Sequence, residues 1–468
     1  MHIMNKYYIT TPIYYANDNP HIGHIATTVF SDIIARYHKL QGEDILFLTG
    51  LDEHGEKVAL AAQKAKKDPQ QFVDELAKKW QSYWEKLNIK YDIFMRTTNP
   101  EHAKIVGELL TQLKENGDIY RATYKGVYCI GCEEFKADRD LVNGLCPEHH
   151  PDQVCQKEEE NYFFKLSKYI PEIKKGIADG IIPLEPESKR KEILARLEEE
   201  VRDLSISRQN VPWGIKLPWD EIQTVYVWVE ALINYFSATK IYKKEEFWPA
   251  DLHFLGKGNN WFHSVIWPAL LLALKLPLPK KIFVTGYYNI GGKKVGKSLG
   301  NAISAENLLG KYGVDGTRYL LTASMPYSTD TDVDFPWFDE KYNSDLANGL
   351  GNLVARVAKL CENNNINIGN ELPCDHFDVP IELALEEFKL NDALYLIWEK
   401  ISLVDKEINL RKPWDLKGED VKSFLIQTVF EIQDIAYNLQ PFLPETSEKI
   451  LKQFSGEIKS APALFPRL

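Results

Sequence analysis

The sequence predicts an α/β protein in which a parallel sheet is split by an insertion and followed by a C-terminal α-helical bundle. Three observations lead to this prediction. A strand, a helix and a second strand follow one another at the start of the chain. A cysteine cluster at 129–146 interrupts short β-like segments, and nearly everything after about residue 337 has the spacing of amphipathic helices.

The first unit is a β-α-β unit of the Rossmann type. "KYYITT" (6–11) is rich in β-forming residues, and "DILFLTG" (44–50) has the continuous apolar character of a buried parallel strand. Between them an apolar stripe has the spacing of a helix, and Gly42 is predicted to terminate that helix. The stripe consists of Ile25, Val29, Ile33, Tyr37 and Leu40.

The later elements are predicted from changes in residue composition and hydrophobic spacing along the chain. Residues 60–117 are predicted to be helical, and the charged run 185–203 to be a solvated helix without a chemical role. An α/β pattern returns with "TVYVWVE", "LHFLGKG", the helical "FHSVIWPALLLALKL" and the strand "KIFVTG" before the helical tail. The predicted parts are a first half of the sheet domain at 1–117, the insertion at 118–215, the second half at 216–285, a lysine-bearing loop region at 286–345 and the helical domain at 346–468.

Composition narrows the possible functions. The chain has 468 residues, 44% of them hydrophobic, and a net charge of −11, which is not the profile of a protein that coats nucleic acid non-specifically. No apolar run has the length of a membrane span, and the first residues lack the layout of a signal peptide. A cytoplasmic location is therefore expected. Six cysteines, three of them crowded together, favour a metal site over a disulfide framework.

Two loops have the character of phosphate-binding sites. His21, Gly23 and His24 lie between the first strand and its helix, where backbone amides favour anions. The strand "KIFVTG" is followed by "YYNIGGKKVGKSLGN", whose lysines are compact charges suited to phosphate oxygens. Each loop alone is also consistent with a solvated turn, but the two together favour a phosphate site.

A separate cysteine pattern predicts a zinc knuckle. Two residues separate Cys129 from Cys132, and the same number separates Cys146 from His149. Two such turns supply four ligands to one closed tetrahedral site, so we predict structural zinc. His150 is a weaker candidate for the fourth ligand, and four reduced, unliganded residues are the alternative.

His21-Ile22-Gly23-His24 resembles the HIGH motif of class I aminoacyl-tRNA synthetases, and Lys294-Val295-Gly296-Lys297-Ser298 resembles their KMSKS loop. Within that class, "YYITTPIYYANDNPHIGH", "FLTGLDEHGEKV", "YVWVEALINY" and "NSDLANGLGNLVARV" are similar to the methionyl-tRNA synthetase family. The resemblance implies ATP-dependent activation of L-methionine followed by its transfer to tRNA(Met). It also implies Mg²⁺ with ATP, catalysis by His21, His24, Lys294 and Lys297, and further ATP contacts from Gly23 and Ser298.

The same resemblance implies a methionine pocket with aromatic walls and with Asp52 facing the ammonium group. The residues carried over are Ile13, Tyr15, Asp52, Trp228, Ala231, Leu232, Tyr235, Phe262 and His263. The chain departs from the family at two places. Gly258, Asn259 and Asn260 stand where relatives usually have Asp and apolar residues, and Val295 and Gly296 replace the usual Met and Ser.

The helical tail resembles the start of the family's anticodon-binding bundle. Trp414 is a candidate for its binding face or for its core, and Asp405 stands where relatives commonly have Asn. The appended domain that makes some members dimers does not follow "ALFPRL", so a monomer is expected.

Two other functions fit parts of the pattern. One is a different class I ligase, although the valine, isoleucine and leucine enzymes carry a longer editing insertion and the cysteine enzyme uses an open catalytic zinc. The other is a zinc-knuckle RNA-binding or scaffold protein with a retired active site.

Overall fold

The structure is a computed structural model. It describes residues 5–132, 134–136, 141–147, 150–209, 211–294, 303–369 and 376–468, without the side chains of 134–135 and 293–294. Lys297, Ser298 and His149, all predicted site residues, lie outside the described residues, as do Val295 and Gly296.

The first half of the catalytic fold alternates strands with helices. Its strands are β1 (Lys6–Thr10), β2 (Tyr14–Tyr15), β3 (Asp44–Asp52) and β4 (Ile93–Arg96), and its helices are α1 (Ile22–Leu40), α2 (Glu56–Lys64), α3 (Pro69–Lys86) and α4 (Pro100–Glu115). The predicted first strand, helix and second strand are confirmed. Gly42 lies just beyond α1 with φ +84°, the left-handed conformation that terminates helices. Strand β4 corrects the expectation that 60–117 is wholly helical, because its four residues alternate between buried and partly buried positions.

The middle of the chain is a long antiparallel ribbon followed by smaller pieces. The elements are β5 (Ile119–Cys129), β6 (Glu134–Lys136), β7 (Val154–Phe164), α5 (Leu166–Ala178), β8 (Leu184–Glu185), α6 (Glu187–Arg196), β9 (Leu204–Ser205), β10 (Ser207–Gln209), β11 (Lys216–Leu217) and β12 (Asp220–Val225). Strands β5 and β7 pair along their whole length, so the ribbon projects as one hairpin whose far end carries the cysteines. The charged run 185–203 is helical only from Glu187 to Arg196.

The second half closes the catalytic fold and leads into the bundle. It contains α7 (Val227–Ile241), β13 (Leu252–Gly256), α8 (Trp267–Leu274), β14 (Ile282–Thr285), β15 (Tyr288–Ile290), β16 (Lys293–Lys294), α9 (Ala305–Ala323), β17 (Thr331–Asp332), α10 (Phe335–Lys341), α11 (Asn352–Asn363), α12 (Val379–Glu386), α13 (Leu390–Arg411), α14 (Glu419–Leu439) and α15 (Pro444–Gln453). Short 3₁₀ turns lie at Pro151–Gln153, Glu245–Phe247 and Lys257–Asn259, and π-helical turns at Phe262–Ile266 and Tyr342–Gly351. Within the described residues, no helix combines the length and apolar character needed to cross a membrane.

The central sheet is parallel throughout. Its order is β3-β1-β13-β14-β8, with β4 on the other edge of β3 and β2 continuing along the edge that β1 occupies. Strand β8 comes from the region predicted as the insertion, yet it pairs with β14 at the end of this sheet. Two apolar cores cover the two faces of the sheet, one built on α1 and α3 and continuous with the bundle, the other on α4, α7 and α8. The predicted fold class is confirmed, and the carboxyl ends of the strands meet at one edge, where such sheets bind ligands.

One buried arginine joins the catalytic fold to the helical bundle. The Arg318 side chain on α9 is fully buried, and its guanidinium lies 2.7 Å from a carboxylate oxygen of Asp32 on α1. The same guanidinium donates to the carbonyl oxygens of Phe442 at 2.8 Å and Pro441 at 2.9 Å, in the bundle. Since a charge without solvent must be paired, this contact holds the two parts together.

Candidate active site

The start of helix α1 explains why two histidines flank a glycine there. His21 is the N-cap residue, and its Nδ1 accepts a hydrogen bond from the backbone N–H of Gly23 at 3.1 Å. The Nδ1 of His24 accepts from the backbone N–H of His21 at 3.4 Å, so the two rings form a capping box. The rings stack with centroids 3.8 Å apart. A Cβ at position 23 would lie 3.0 Å from the His21 ring, and glycine therefore lets that ring fold over the helix start.

This cap fixes the tautomer of both histidines. A nitrogen that accepts a hydrogen bond carries no proton, so in the neutral rings the proton is on Nε2. Both histidines line the cavity described below. Their N–H groups, together with the amide groups of the helix start, suit an anionic ligand.

The chain segment that follows β14 returns to the start of helix α1. Gly291 and Gly292, with φ of +60° and +73°, make a tight turn that joins β15 to β16, so Lys293 and Lys294 lie on a hairpin rather than on an open loop. The chain re-enters the described part at Ile303, whose carbonyl oxygen accepts from the backbone N–H of Ile22 at 3.0 Å. The end of the lysine segment therefore lies against the start of α1.

One cavity of about 750 Å³ opens at the carboxyl ends of the strands. His21, Gly23 and His24 line it, and so do all nine residues predicted for the methionine pocket. We call one side of the cavity the inner wall, formed by Asp52, Trp228, Tyr235, Phe262 and His263. The Trp228 and Phe262 rings stack at 3.9 Å, nearly parallel, and Tyr15 meets the edge of Trp228. Flat, polarizable rings of this kind suit a thioether.

A short hydrogen-bond chain orders the polar part of the inner wall. Burial lowers the pKa of His263 to about 4, so the ring is neutral at pH 7. Its Nδ1–H donates to the carbonyl oxygen of Asn259 at 2.9 Å, and its Nε2 accepts from the Tyr235 hydroxyl at 2.7 Å. The indole N–H of Trp228 is buried and has no partner among the described residues, so it can donate to a ligand.

Sequence reasoning missed the buried pair that holds the inner wall in place. His54, just after β3, contacts Glu230 on α7 with Nδ1 3.0 Å from a carboxylate oxygen. Burial lowers the pKa of His54, but the Glu230 carboxylate outweighs burial, and the net result is a raised pKa. The pair ties the strand that carries Asp52 to the helix that carries Trp228. His54 lies near the predicted site residue Asp52 in the sequence, and Glu230 lies near Trp228. The sequence could therefore have drawn attention to both residues, but their contact depends on the tertiary fold.

The Gly258 departure has a physical counterpart in Tyr287. A Cβ on Gly258 would overlap the Tyr287 hydroxyl, so the tyrosine occupies the space of a missing side chain. Asp330 fixes this corner, because it pairs with Lys257 at 2.6 Å and accepts from the Tyr287 backbone N–H at 2.9 Å. A side chain at position 258 would therefore require the Tyr287 ring to shift.

Three of the four predicted zinc ligands come together. The sulfur atoms of Cys129, Cys132 and Cys146 all lie within 4.8 Å of one another, and those of Cys132 and Cys146 are 3.7 Å apart. Two thiolates on a tetrahedral zinc ion, each bonded at about 2.3 Å, would lie about 3.8 Å apart. The cluster therefore fits a zinc ion, and a metal-binding role for these cysteines is supported.

A second polar cluster lies on the bundle, and its residues do not line the cavity. The Trp414 side chain is about half exposed, and the Arg356 guanidinium lies 5.3 Å from its ring centroid. Arg356 also pairs with Asp405 at 3.0 Å and donates to the side-chain oxygen of Asn409 at 2.7 Å. Trp414 was considered for the binding face of the bundle or for its core, and its exposure agrees with the binding face.

Comparison with known proteins gives a consistent result. The family model described as tRNA synthetases class I (M) matches residues 7–156 and 151–358. A methionine–tRNA ligase of Thermotoga maritima is 41% identical over 97% of this chain and 76% of its own length. One of Clostridium acetobutylicum is 40% identical over 98% and 75%. The structure of Mycobacterium tuberculosis methionyl-tRNA synthetase in complex with methionyl-adenylate superposes with a TM-score of 0.90 at 31% identity, covering 99% of this chain and 100% of that one.

Proposed function

This chain belongs to the methionine–tRNA ligase family of class I aminoacyl-tRNA synthetases, and from that membership we propose how its residues perform the reaction. It activates methionine with ATP, releasing pyrophosphate, and transfers the methionyl group to tRNA. The observation that carries the residue assignment is the single cavity, which joins an aromatic pocket containing a carboxylate to a histidine-capped helix start. The two ends match the two ends of a methionyl-adenylate.

Methionine binds to the inner wall. Asp52 is only 4% exposed, and its carboxylate receives the ammonium group of the amino acid. The rings of Tyr15, Trp228 and Phe262 pack against the thioether, with Ile13, Ala231, Leu232, Tyr235 and His263 completing the pocket. Since the pocket presents one carboxylate and mostly apolar surface, it selects a zwitterion with an uncharged side chain.

Activation is an in-line displacement at the α-phosphorus of ATP. A carboxylate oxygen of methionine forms the new P–O bond, the bond to the pyrophosphate breaks, and the pyrophosphate leaves with the bonding electrons. The protein supplies no covalent nucleophile, so positioning and charge stabilisation carry the catalysis. We assign the Nε2–H groups of His21 and His24 to the phosphates, and Lys294, Lys297 and Ser298 to the departing pyrophosphate. Gly23 lets the nucleotide approach the backbone, and Mg²⁺ enters with ATP.

The metal cluster is proposed as one structural zinc ion held by Cys129, Cys132, Cys146 and His149. A closed site with four protein ligands organises the far end of the ribbon, where the short strand β6 pairs with β5. The zinc contributes folding energy to this segment and takes no part in the chemistry.

The remaining assignments concern tRNA and the parts of the chain. The exposed Trp414 with Arg356 is proposed to contact the anticodon, because aromatic rings beside guanidinium groups bind unpaired bases. We assign residues 1–117 and 216–285, together with strand β8, to the nucleotide-binding fold and the rest of 118–215 to the insertion. Residues 286–345 are assigned to the loop and stem-contact region and 346–468 to the anticodon-binding domain. The protein is proposed to act as a monomer in the cytoplasm.

Pyrophosphate exchange tests the proposal directly. The purified protein should exchange labelled pyrophosphate into ATP with methionine and not with cysteine, isoleucine, leucine or valine. Equal exchange with any of the four would contradict the methionine pocket. No exchange, in a folded sample with zinc bound, would instead identify a retired active site.

A further inference from the structure

A short strand packs against the base of the hairpin that carries Lys293 and Lys294. In this hairpin, β15 pairs with β16, and Asn289 lies opposite Lys294. On the other side of β15, strand β17 pairs in parallel, and Asp332 lies opposite the same Asn289. The backbone N–H of Val333 also donates to the carbonyl oxygen of Asn289 at 2.9 Å. A shift of β17 would therefore carry the backbone at Lys294 with it.

Asp332 holds the turn of this hairpin directly. Its Oδ2 accepts a hydrogen bond from the backbone N–H of Gly292 at 2.8 Å. Gly291 and Gly292 both have positive φ, and a pair of glycines has many other conformations available to it. A hydrogen bond from the backbone to a carboxylate is among the stronger ones in proteins. The Asp332 carboxylate therefore selects the one turn from which Lys293 and Lys294 extend.

Asp330, two residues earlier, holds a wall of the cavity. Its two carboxylate oxygens lie 2.7 and 2.6 Å from the Nζ of Lys257, and Oδ1 also accepts from the backbone N–H of Tyr287 at 2.9 Å. Both Lys257 and Tyr287 line the cavity. The backbones pack closely here, because a Cβ on Gly286 would lie 2.3 Å from the carbonyl oxygen of Thr329. One short segment thus contacts both the cavity wall and the lysine hairpin.

We propose that Asp330 and Asp332 are positioning residues for adenylate formation, an inference that rests on the proposed function. Neither is among the described residues that line the cavity, so neither carboxylate touches the substrates. Asp332 fixes the hairpin that carries Lys294, and Asp330 fixes the wall that receives ATP. Because the two carboxylates stand on one segment, they set the distance between that lysine and the departing pyrophosphate. A misplacement of about 1 Å costs about a hundredfold in rate.

Two measurements separate this role from methionine binding. Single-turnover formation of methionyl-adenylate reports the step itself, and equilibrium dialysis of labelled methionine reports the inner wall. Asp332→Ala should slow adenylate formation by about tenfold, because Lys294 is still present but less well placed. The Kd for methionine should stay unchanged. Asp332→Asn should lose less, since its amide oxygen can still accept from Gly292, and Asp330→Ala should slow the same step.

A double-mutant cycle with Lys294→Ala distinguishes positioning from a general loss of structure. If Asp332 acts through Lys294, Asp332→Ala should slow adenylate formation little further once the lysine is gone. Losses that multiply would overturn the proposal, and so would an unchanged rate in Asp332→Ala or in Lys294→Ala. Should Asp332→Ala fail to fold, Asp332→Asn replaces it in the cycle, and its smaller loss should likewise vanish in the Lys294→Ala protein.

Glu340→Ala is the matched control. Glu340 is an exposed carboxylate on α10, eight residues after Asp332, and it neither belongs to the hairpin nor lines the cavity. Its removal should leave the rate of adenylate formation and the Kd for methionine unchanged. An unmodified protein that forms no adenylate would contradict the proposed function itself. An active protein in which Asp332→Ala is equally active would contradict the positioning role alone.

Discussion

The two walls of the cavity are built in opposite ways. The inner wall is closed: Tyr235 and His263 are at most 2% exposed, and their polar atoms bond to each other and to the backbone. The opposite side, which we call the outer wall, is formed by Glu192, Ile193, Arg196 and Trp261. The ion pairs of its helix, such as Lys189 with Glu192, involve exposed carboxylates. A closed wall can select a small molecule by shape, whereas an open charged wall can admit the end of a large one. The difference teaches that one cavity can combine a closed aromatic wall with an open, charged one.

The largest expected effect concerns the lysine loop after β15, which acts in adenylate formation. Lys297→Ala should slow adenylate formation by about a hundredfold, because one charge-assisted contact to the departing pyrophosphate is worth on the order of 3 kcal/mol. The dissociation constant for methionine should hardly change, since the contact forms in the transition state. Single-turnover kinetics measures both.

Lys294→Ala should resemble Lys297→Ala, and Lys293→Ala is the neighbouring control that should matter much less. A Lys297→Ala variant changed only in methionine affinity, or a Lys293→Ala variant more damaged than either, would show that the motif is wrongly aligned.

The next largest effect concerns methionine binding at the inner wall alone. Asp52→Asn removes the charge opposite the methionine ammonium, and losing one charged partner in a buried site costs about 2–5 kcal/mol. The KM for methionine in pyrophosphate exchange should therefore rise by about thirtyfold or more, while the KM for ATP stays near its original value. Asp44→Asn, at the opposite end of the same strand, is the control. A rise in the KM for ATP alone would contradict the assignment.

Removing the metal would loosen the ribbon end next to the outer wall. Cys132→Ala should reduce bound zinc from one equivalent to none, since three ligands hold the ion far more weakly than four. Transfer to tRNA should fall more than methionine activation does. Metal analysis with Cys155→Ala, on the neighbouring strand, provides the control, which should retain its zinc. A full equivalent of zinc in Cys132→Ala would disprove the ligand set.

The smallest effect concerns the pair that supports the inner wall. The pKa of His54 is raised in the folded protein, and its stabilising contribution is therefore complete below its unfolded pKa near 6.5 and is lost as pH rises through the folded pKa. The loss amounts to ~1.4 kcal/mol for each pH unit between the two values. Burial also raises the pKa of Glu230, which gives a slope of the same sign from more acidic pH.

Denaturant unfolding between pH 6 and 9 measures this dependence. The unmodified protein should lose stability across the range, and Glu230→Gln should show a flatter profile. Identical slopes for the two proteins would mean that the pair does not control the pH dependence.

The sequence predicted most of the site residues that directly follow a strand. It predicted few of the residues that reach the cavity only through tertiary pairing. His21 and Asp52 follow strands whose patterns are clear, and the motif around Trp228 is local, so their common cavity could be foreseen. Arg196 lies in a run whose charge pattern is that of any surface helix, and only the pairing of β8 with β14 brings it to the cavity. The strand Ile93–Arg96 was missed because four residues between two helices carry almost no periodic signal.

The Arg318 contact determines how separable the parts of this protein are. Pulling the helical bundle away would leave the Arg318 N–H groups without the Phe442 and Pro441 carbonyl oxygens, and losing a hydrogen bond to a charged group costs about 1.5–3 kcal/mol. We therefore expect the bundle and the nucleotide-binding half to unfold as one cooperative unit. A bundle exchanged by recombination would keep this contact only if it offered carbonyl oxygens where Pro441 and Phe442 now lie.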